Sequence, residues 1–157
     1  MPKTAFITGA TSGFGAACAR RFAENGWRLI LCGRRLDRLD TLRDQLAATV
    51  PGHAFPLDVR DEAAVNTAVA ALPDGFDTVD LLINNAGLAL GLEPAHRCDM
   101  QDWQTMIDTN IKGLLYCTRA LLPGMVERNR GHIVNIGSVA GNYPYPGGNV
   151  YGGTKAF

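Results

Sequence analysis

Apolar positions along the chain follow two alternating patterns. Short unbroken runs such as Ala5-Phe6-Ile7, Leu29-Ile30-Leu31 and Leu81-Leu82-Ile83 read as strands covered on both faces. Between them, apolar residues recur at helical spacing, as in Leu36, Leu39, Leu42 and Leu46. The patterns predict strands over residues 3–8, 28–32, 54–57, 79–83 and 132–136. They predict helices over 16–24, about 35–49, from Asp61 as N-cap to Leu72, and from near Val150. Residues from about 99 to 128 read as helical in two pieces meeting near Asn110. Asn25-Gly26 is a helix stop, and 141–149 is a Gly- and Pro-rich loop. Alternation of strand and helix calls for an α/β fold, a doubly wound parallel sheet with helices on both faces.

With 157 residues and 46% hydrophobic content, the chain suffices for one domain with its own core. Fifteen basic and fifteen acidic residues give no net charge, which argues against a nucleic-acid partner held through phosphates. No run of 18 apolar residues exists, so no membrane partner is expected. Cys18, Cys32, Cys98 and Cys117 form no CxxC pair, and His53, His96 and His132 stand alone. Neither a disulfide framework nor a metal site is expected, and the simplest setting is a reducing cytoplasm. Trp27 and Trp103 read as packing residues. The last helix has only a few residues before Phe157, fewer than an isolated helix needs. The chain, one domain over 1–157, is therefore expected to be incomplete at its C-terminal end.

Between the first strand and first helix lies Thr8-Gly9-Ala10-Thr11-Ser12-Gly13-Phe14-Gly15. Glycines at 9, 13 and 15 let the backbone turn tightly and approach a pyrophosphate, and the helix behind offers free N–H groups. The spacing is GxxxGxG, neither the GxGxxG nor the GxxxxGK[ST] arrangement. The second strand ends in Gly33-Arg34-Arg35, where an NAD site would place an acid for the ribose hydroxyl. Two guanidinium groups there suit a 2′-phosphate, so NADP is the expected cofactor. Asp58-Val59 follows the third strand, with Asp58 either an adenine contact or a helix cap. Asn85-Ala86-Gly87 follows the fourth, with small residues that let a ligand approach and an asparagine that locks the turn.

Tyr151 and Lys155 are one helical turn apart and share a face. A free phenol, with a pKa of about 10, is a poor base at neutral pH. A nearby ammonium and an oxidised nicotinamide both favour its phenolate. Such a pair can donate a proton in reduction and accept one in oxidation. Ser138, after the fifth strand, can donate to a carbonyl oxygen. It is no nucleophile, because Gly137-Ser138-Val139 is not a GxSxG elbow.

Taken together, Thr8 to Gly15, Asn84-Asn85-Ala86-Gly87, Asn110, Ser138 and Tyr151-Gly152-Gly153-Thr154-Lys155 resemble the short-chain dehydrogenase/reductase family along the whole chain. The resemblance implies a Rossmann-type fold, a small-molecule substrate and a homo-oligomer, tetramer or dimer. It implies catalytic roles for Ser138, Tyr151 and Lys155, with Tyr151 and Lys155 also touching the cofactor. Asn110, where the helical stretch breaks, would hold an ordered water linking Lys155 to solvent. Closer texture, carried by Gly33-Arg34-Arg35, Glu93-Pro94-Ala95-His96 and Gly147-Gly148-Asn149-Val150, is similar to the NADP-dependent 3-hydroxy acid dehydrogenases. Those act on serine, allo-threonine and similar 3-hydroxy acids. A carbonyl or 3-oxoacyl-thioester reductase is the alternative within the family. A non-catalytic dinucleotide-binding module is the alternative outside it.

Overall fold

The structure, a computed structural model, describes residues 2–157. Five parallel strands form one sheet in the order β3-β2-β1-β4-β5: β1 Thr4–Thr8, β2 Arg28–Gly33, β3 Gly52–Pro56, β4 Leu81–Asn84 and β5 His132–Asn135. Helices α1 Gly13–Glu24, α2 Leu36–Leu46, α3 Glu62–Ala70, α4 Met100–Ile107, α5 Gly113–Glu127 and α6 Asn149–Ala156 fill the connections.

Side chains alternate along each strand, so one strand feeds two cores. Ala5 and Ile7 join Leu29, Leu31, Leu39 and Leu42 on the α1/α2 side. Phe6 joins Ile30, Leu82, Val65, Leu121 and Met125 on the α3/α5 side. The doubly wound parallel sheet expected from the alternation is present. Cys32 and Cys117 sit in the second core, where burial pushes the Cys117 thiol up to about 12 and Cys32 well above its ordinary value. All four cysteines are free. Trp27 packs edge-on against Phe22 at 5.1 Å between ring centroids, as a packing residue should.

Element boundaries differ from the sequence expectation in instructive ways. Helix α1 starts at Gly13 rather than residue 16, because the glycine turn is itself the first helical turn, with Ser12 as N-cap. Strand β3 begins two residues early, where Gly52 pairs with Leu29. Helix α2 stops at Leu46, and Val50 turns back into the first core. Asp61 caps α3 as expected, accepting from the Ala64 amide at 3.0 Å. The fifth strand is the sheet edge, with His132 and Asn135 exposed and only Ile133 and Val134 half-buried. A short 3-10 turn, Ala95–Arg97, was not foreseen.

The break expected near Asn110 is a π-helical turn, Asp108–Lys112, joining α4 to α5 without a gap. An extra residue per turn of this kind rotates side chains out of helical register, and such turns concentrate at functional sites. Here it aims Asn110 inward, where it is buried.

Candidate active site

Strand order reverses direction of winding at β1, between β2 on one side and β4 on the other. Ligands in such sheets bind outside the carboxyl ends of the strands at this point. A cleft of about 620 Å³ lies there. Thr11, Ser12, Phe14, Arg34, Arg35, Asp58, Val59, Asn85, Ala86, Gly87, Ser138, Tyr151 and Lys155 all line it. Residues read from six separate segments of sequence thus meet in one space.

The turn after β1 is built for close approach. Gly9 has φ +64, and a Cβ there would lie 3.0 Å from the Ala86 Cα and the Asn85 Nδ2. Helix α1 receives no side-chain cap from Ser12, so its first N–H groups are left for a ligand. That uncapped terminus, facing an open cleft beside two arginines, fits a dinucleotide pyrophosphate. Ala10, Gly13 and Gly15 do not line the cleft; they shape the turn. Ala10 is buried and donates to the Cys32 carbonyl at 3.1 Å. A Cβ at Gly15 would lie 2.5 Å from both Asn85 Nδ2 and the Gly9 oxygen. Gly15→Ala is therefore expected to destabilise the protein by ~1–3 kcal/mol through overpacking. Gly137→Ala, facing open space, should change stability by less than ~0.5 kcal/mol. Urea midpoints of the two variants check the contrast.

The Asn85 amide donates to the Thr8 and Gly9 carbonyls at 2.9 and 3.0 Å. In return the Thr8 hydroxyl accepts from the Asn85 and Ala86 N–H groups at 3.0 and 2.9 Å and donates to Ile83. This lock between the turns after β1 and β4 makes Thr8 a site residue that sequence reasoning missed. Its one signal was a buried hydroxyl closing an apolar strand.

Arg35 Nη2 donates to the Thr11 and Ser12 hydroxyls at 2.7 and 3.3 Å. Those hydroxyls keep their own protons free for a phosphate. Arg34 carries no such bond but lies near enough to Asp58 to help lower its pKa. Asp58 is not a helix cap. It forms a fork with Arg60, whose side-chain hydrogen bonds chiefly hold the carboxyl below its ordinary value. Arg60 lines the cleft and was also missed.

At the other end, Lys155 Nζ donates to the Ile136 carbonyl at 2.9 Å. The Ser138 hydroxyl accepts from the Ala140 amide at 3.2 Å, which leaves its proton free. Asn110 does not line the cleft. Its amide donates to the Leu88 carbonyl and Thr154 hydroxyl, and its Oδ1 accepts from the Leu88 amide, each at 2.9 Å. Thr154 in turn donates to the Tyr151 carbonyl at 2.8 Å. Asn110 thereby clamps the Tyr151 helix to the π-turn, and only one lone pair of Oδ1 is left to hold a water. A Cβ at Gly87 would meet Lys155 Nζ at 3.2 Å and Asn110 Oδ1 at 3.3 Å, so glycine keeps that approach open.

Fold and site define a Rossmann-type α/β protein with a serine, a tyrosine and a lysine gathered in the cleft at the carboxyl ends of the strands. The short chain dehydrogenase family model matches residues 3–157, and the chain belongs to this family. It is 62% identical over 151 residues to the NADP-dependent 3-hydroxy acid dehydrogenase of Salmonella typhi, covering 96% of this chain and 60% of that protein. It is 56% identical to the sulfoacetaldehyde reductase of Chromohalobacter salexigens, covering 100% of this chain and 62% of that one. The closed form of serine dehydrogenase complexed with NADP+ superposes with a TM-score of 0.94 at 56% identity, over 98% of this chain and 61% of that one. The chain thus spans about 60% of the length of the curated relatives it matches. Among the described residues, no helix is long and apolar enough to cross a membrane.

Proposed function

We propose that the protein is an NADP-dependent oxidoreductase that moves a hydride between nicotinamide and a small 3-hydroxy acid, of the serine, allo-threonine or 3-hydroxyisobutyrate type, or its carbonyl counterpart. The observation that carries this reading is the meeting of Ser138, Tyr151 and Lys155 with the phosphate turn and two arginines in one cleft. The names of the similar proteins agree with it. The nicotinamide, when bound, supplies the hydride chemistry. The chain's own residues hold and move the proton. Tyr151 gives its hydroxyl proton to the carbonyl oxygen in reduction and takes it back in oxidation. Ser138 donates to the same oxygen. Lys155, held on the Ile136 carbonyl, stabilises negative charge on the phenolic oxygen. Gly9, Thr11, Ser12, Phe14, Asp58, Val59 and Asn85 to Gly87 cradle the cofactor on a turn shaped by Ala10, Gly13 and Gly15, and Arg34 and Arg35 receive its 2′-phosphate. Asn110 supports this set from behind.

The whole chain acts as one dinucleotide-binding and catalytic domain in this reading. A cytoplasmic setting is supported by the four free cysteines. Assembly as a homo-oligomer is supported by Leu115, Leu122 and Val126, which leave an apolar stripe exposed along α5. Similarity to a sulfoacetaldehyde reductase favours a second reading, reduction of small aldehydes bearing an acidic group.

A substrate panel tests both. Serine, allo-threonine and 3-hydroxyisobutyrate with NADP, and malonic semialdehyde and sulfoacetaldehyde with NADPH, are compared with acetoacetyl thioesters by absorbance of the reduced nicotinamide. The expected result is turnover of the 3-hydroxy acids and little of the thioester. A preference for the thioester would reverse the assignment.

A further inference from the structure

Two segments outside the cleft, Glu93 to Cys98 and Gly147 to Val150, meet in the structure. The Asn149 side-chain amide donates one hydrogen to the Glu93 carbonyl at 2.9 Å and the other to the Cys98 sulfur at 3.1 Å. Cys98 closes the triangle by donating its thiol hydrogen to the same Glu93 carbonyl at 3.0 Å. Asn149 thus commits both side-chain N–H donors to residues 56 and 51 positions away.

The backbone is bent to make this contact. Asn149 has φ +35, a left-handed conformation that residues other than glycine, asparagine and aspartate rarely adopt. Gly147 has φ +80, and a Cβ there would lie 2.6 Å from the Leu92 carbonyl oxygen. Two left-handed residues within three positions press the start of α6 onto the loop between β4 and α4. A left-handed residue bearing a side chain persists only where its surroundings over-determine it, and the hydrogen-bonded triangle does so here.

Position gives the contact its meaning. Asn149 is the first residue of α6, and Tyr151 lies two residues on. Glu93 to Cys98 leads into α4, and α4 continues into the π-turn that carries Asn110. Asn110 holds the same helix through the Thr154 hydroxyl and the same loop through Leu88. Helix α6 is thereby tied near both ends to one loop, whose Leu88 and Ala89 line the cleft. A helix held at one point can swing about it, whereas two points fix its axis. Ser138 stands on a different segment, after β5, so its distance from the phenol depends on that axis.

We propose that Asn149 is a positioning residue for Tyr151: its amide locks the first turn of α6 onto the Glu93–Cys98 segment and so sets the phenol opposite Ser138. This rests on the reading of Tyr151 as the proton donor and acceptor. The lock leaves the acidity of the phenol alone, because Tyr151 and Lys155 share the helix and move together.

Asn149→Gly and Asn149→Asp separate the lock from the backbone. Glycine adopts a positive φ freely and aspartate tolerates it, so both keep the turn, and neither supplies the two N–H donors. Both should lower kcat by about tenfold, since an offset of about 1 Å at the reacting atoms costs up to about 10²-fold. The pH midpoint of kcat should stay, and NADP should bind at full stoichiometry with affinity within about threefold, because the phosphate turn and the arginines lie on other elements. Hydrogen exchange should speed up at residues 93–98 as well as at 149–151. Cys98→Ser keeps a group that both donates and accepts, and should hold kcat within about threefold. Full turnover in Asn149→Gly overturns the proposal, whatever the exchange at 93–98. A lower kcat with unchanged exchange at 93–98 overturns it too, as does a loss of turnover matched by an equal loss of NADP-binding sites. Retained turnover in Tyr151→Phe, or none in the unaltered chain, ends the underlying reading instead. Exchange at 93–98 then decides the lock alone, and the two failures are told apart.

Discussion

Replacing Tyr151 by phenylalanine is expected to lower turnover by ~10²–10⁴-fold, the range that a positioned proton donor and acceptor contributes. The ring is kept and only the hydroxyl is lost, so helix α6 and its contacts should survive. The Thr154 hydroxyl bonds to the Tyr151 carbonyl, not to its side chain, and the Asn110 clamp is untouched. Cofactor affinity should change by less than about threefold, as for one neutral hydrogen bond. Stopped or steady-state turnover of a 3-hydroxy acid, beside a cofactor titration, separates the two quantities. Lys155→Met should reduce both turnover and cofactor affinity. Because the phenol and the ammonium act as one unit, the double variant should turn over no more slowly than Tyr151→Phe alone, within about threefold. Retained turnover in Tyr151→Phe would remove the residue from the chemistry. An additive double variant would mean that Lys155 works through some other group.

The sheet and the cleft were legible in the sequence because each rests on local rules. Unbroken apolar runs mark strands buried on two faces, and that is how Ile7 and Phe6 come to serve opposite cores. Glycines placed between a strand and a helix mark a phosphate turn before any coordinate is known. What was not legible depends on contacts across the chain. Thr8 looks like any strand residue until its hydroxyl meets Asn85 and Ala86, 77 and 78 positions away. Arg60 looks like a solvated basic residue until its fork with Asp58 appears in the cleft wall. The helical break expected at Asn110 is there, and the side chain clamps α6 from outside the cleft. A π-turn has no sequence signature of its own, so the direction of that side chain could not be foreseen.

Arg35→Ala is expected to lower affinity for NADP by about 10- to 100-fold, the worth of a charged hydrogen-bonded contact to phosphate. Affinity for NAD should fall by less than about threefold, since its ribose carries no charge at that position. Sequence alone offered Arg34 and Arg35 as a pair; the geometry ranks Arg35 first. Arg35 is already held by the Thr11 and Ser12 hydroxyls beside the phosphate turn, so binding need not order it. Arg34 lacks such a tether, and the carboxylate near it, Asp58, is paired with Arg60 instead. Arg34→Ala should therefore cost about threefold to tenfold, less than Arg35→Ala, with the same bias against the phosphorylated cofactor. Raising the ionic strength should shrink the Arg34 effect more than the Arg35 effect, because long-range attraction is screened and a tethered contact is not. Titration of NADP, NAD and 2′,5′-ADP into both variants at two salt concentrations measures all of this. Equal losses for NADP and NAD would end the phosphate assignment. A larger loss in Arg34→Ala would show that the tether to Thr11 and Ser12 holds Arg35 away from the ligand.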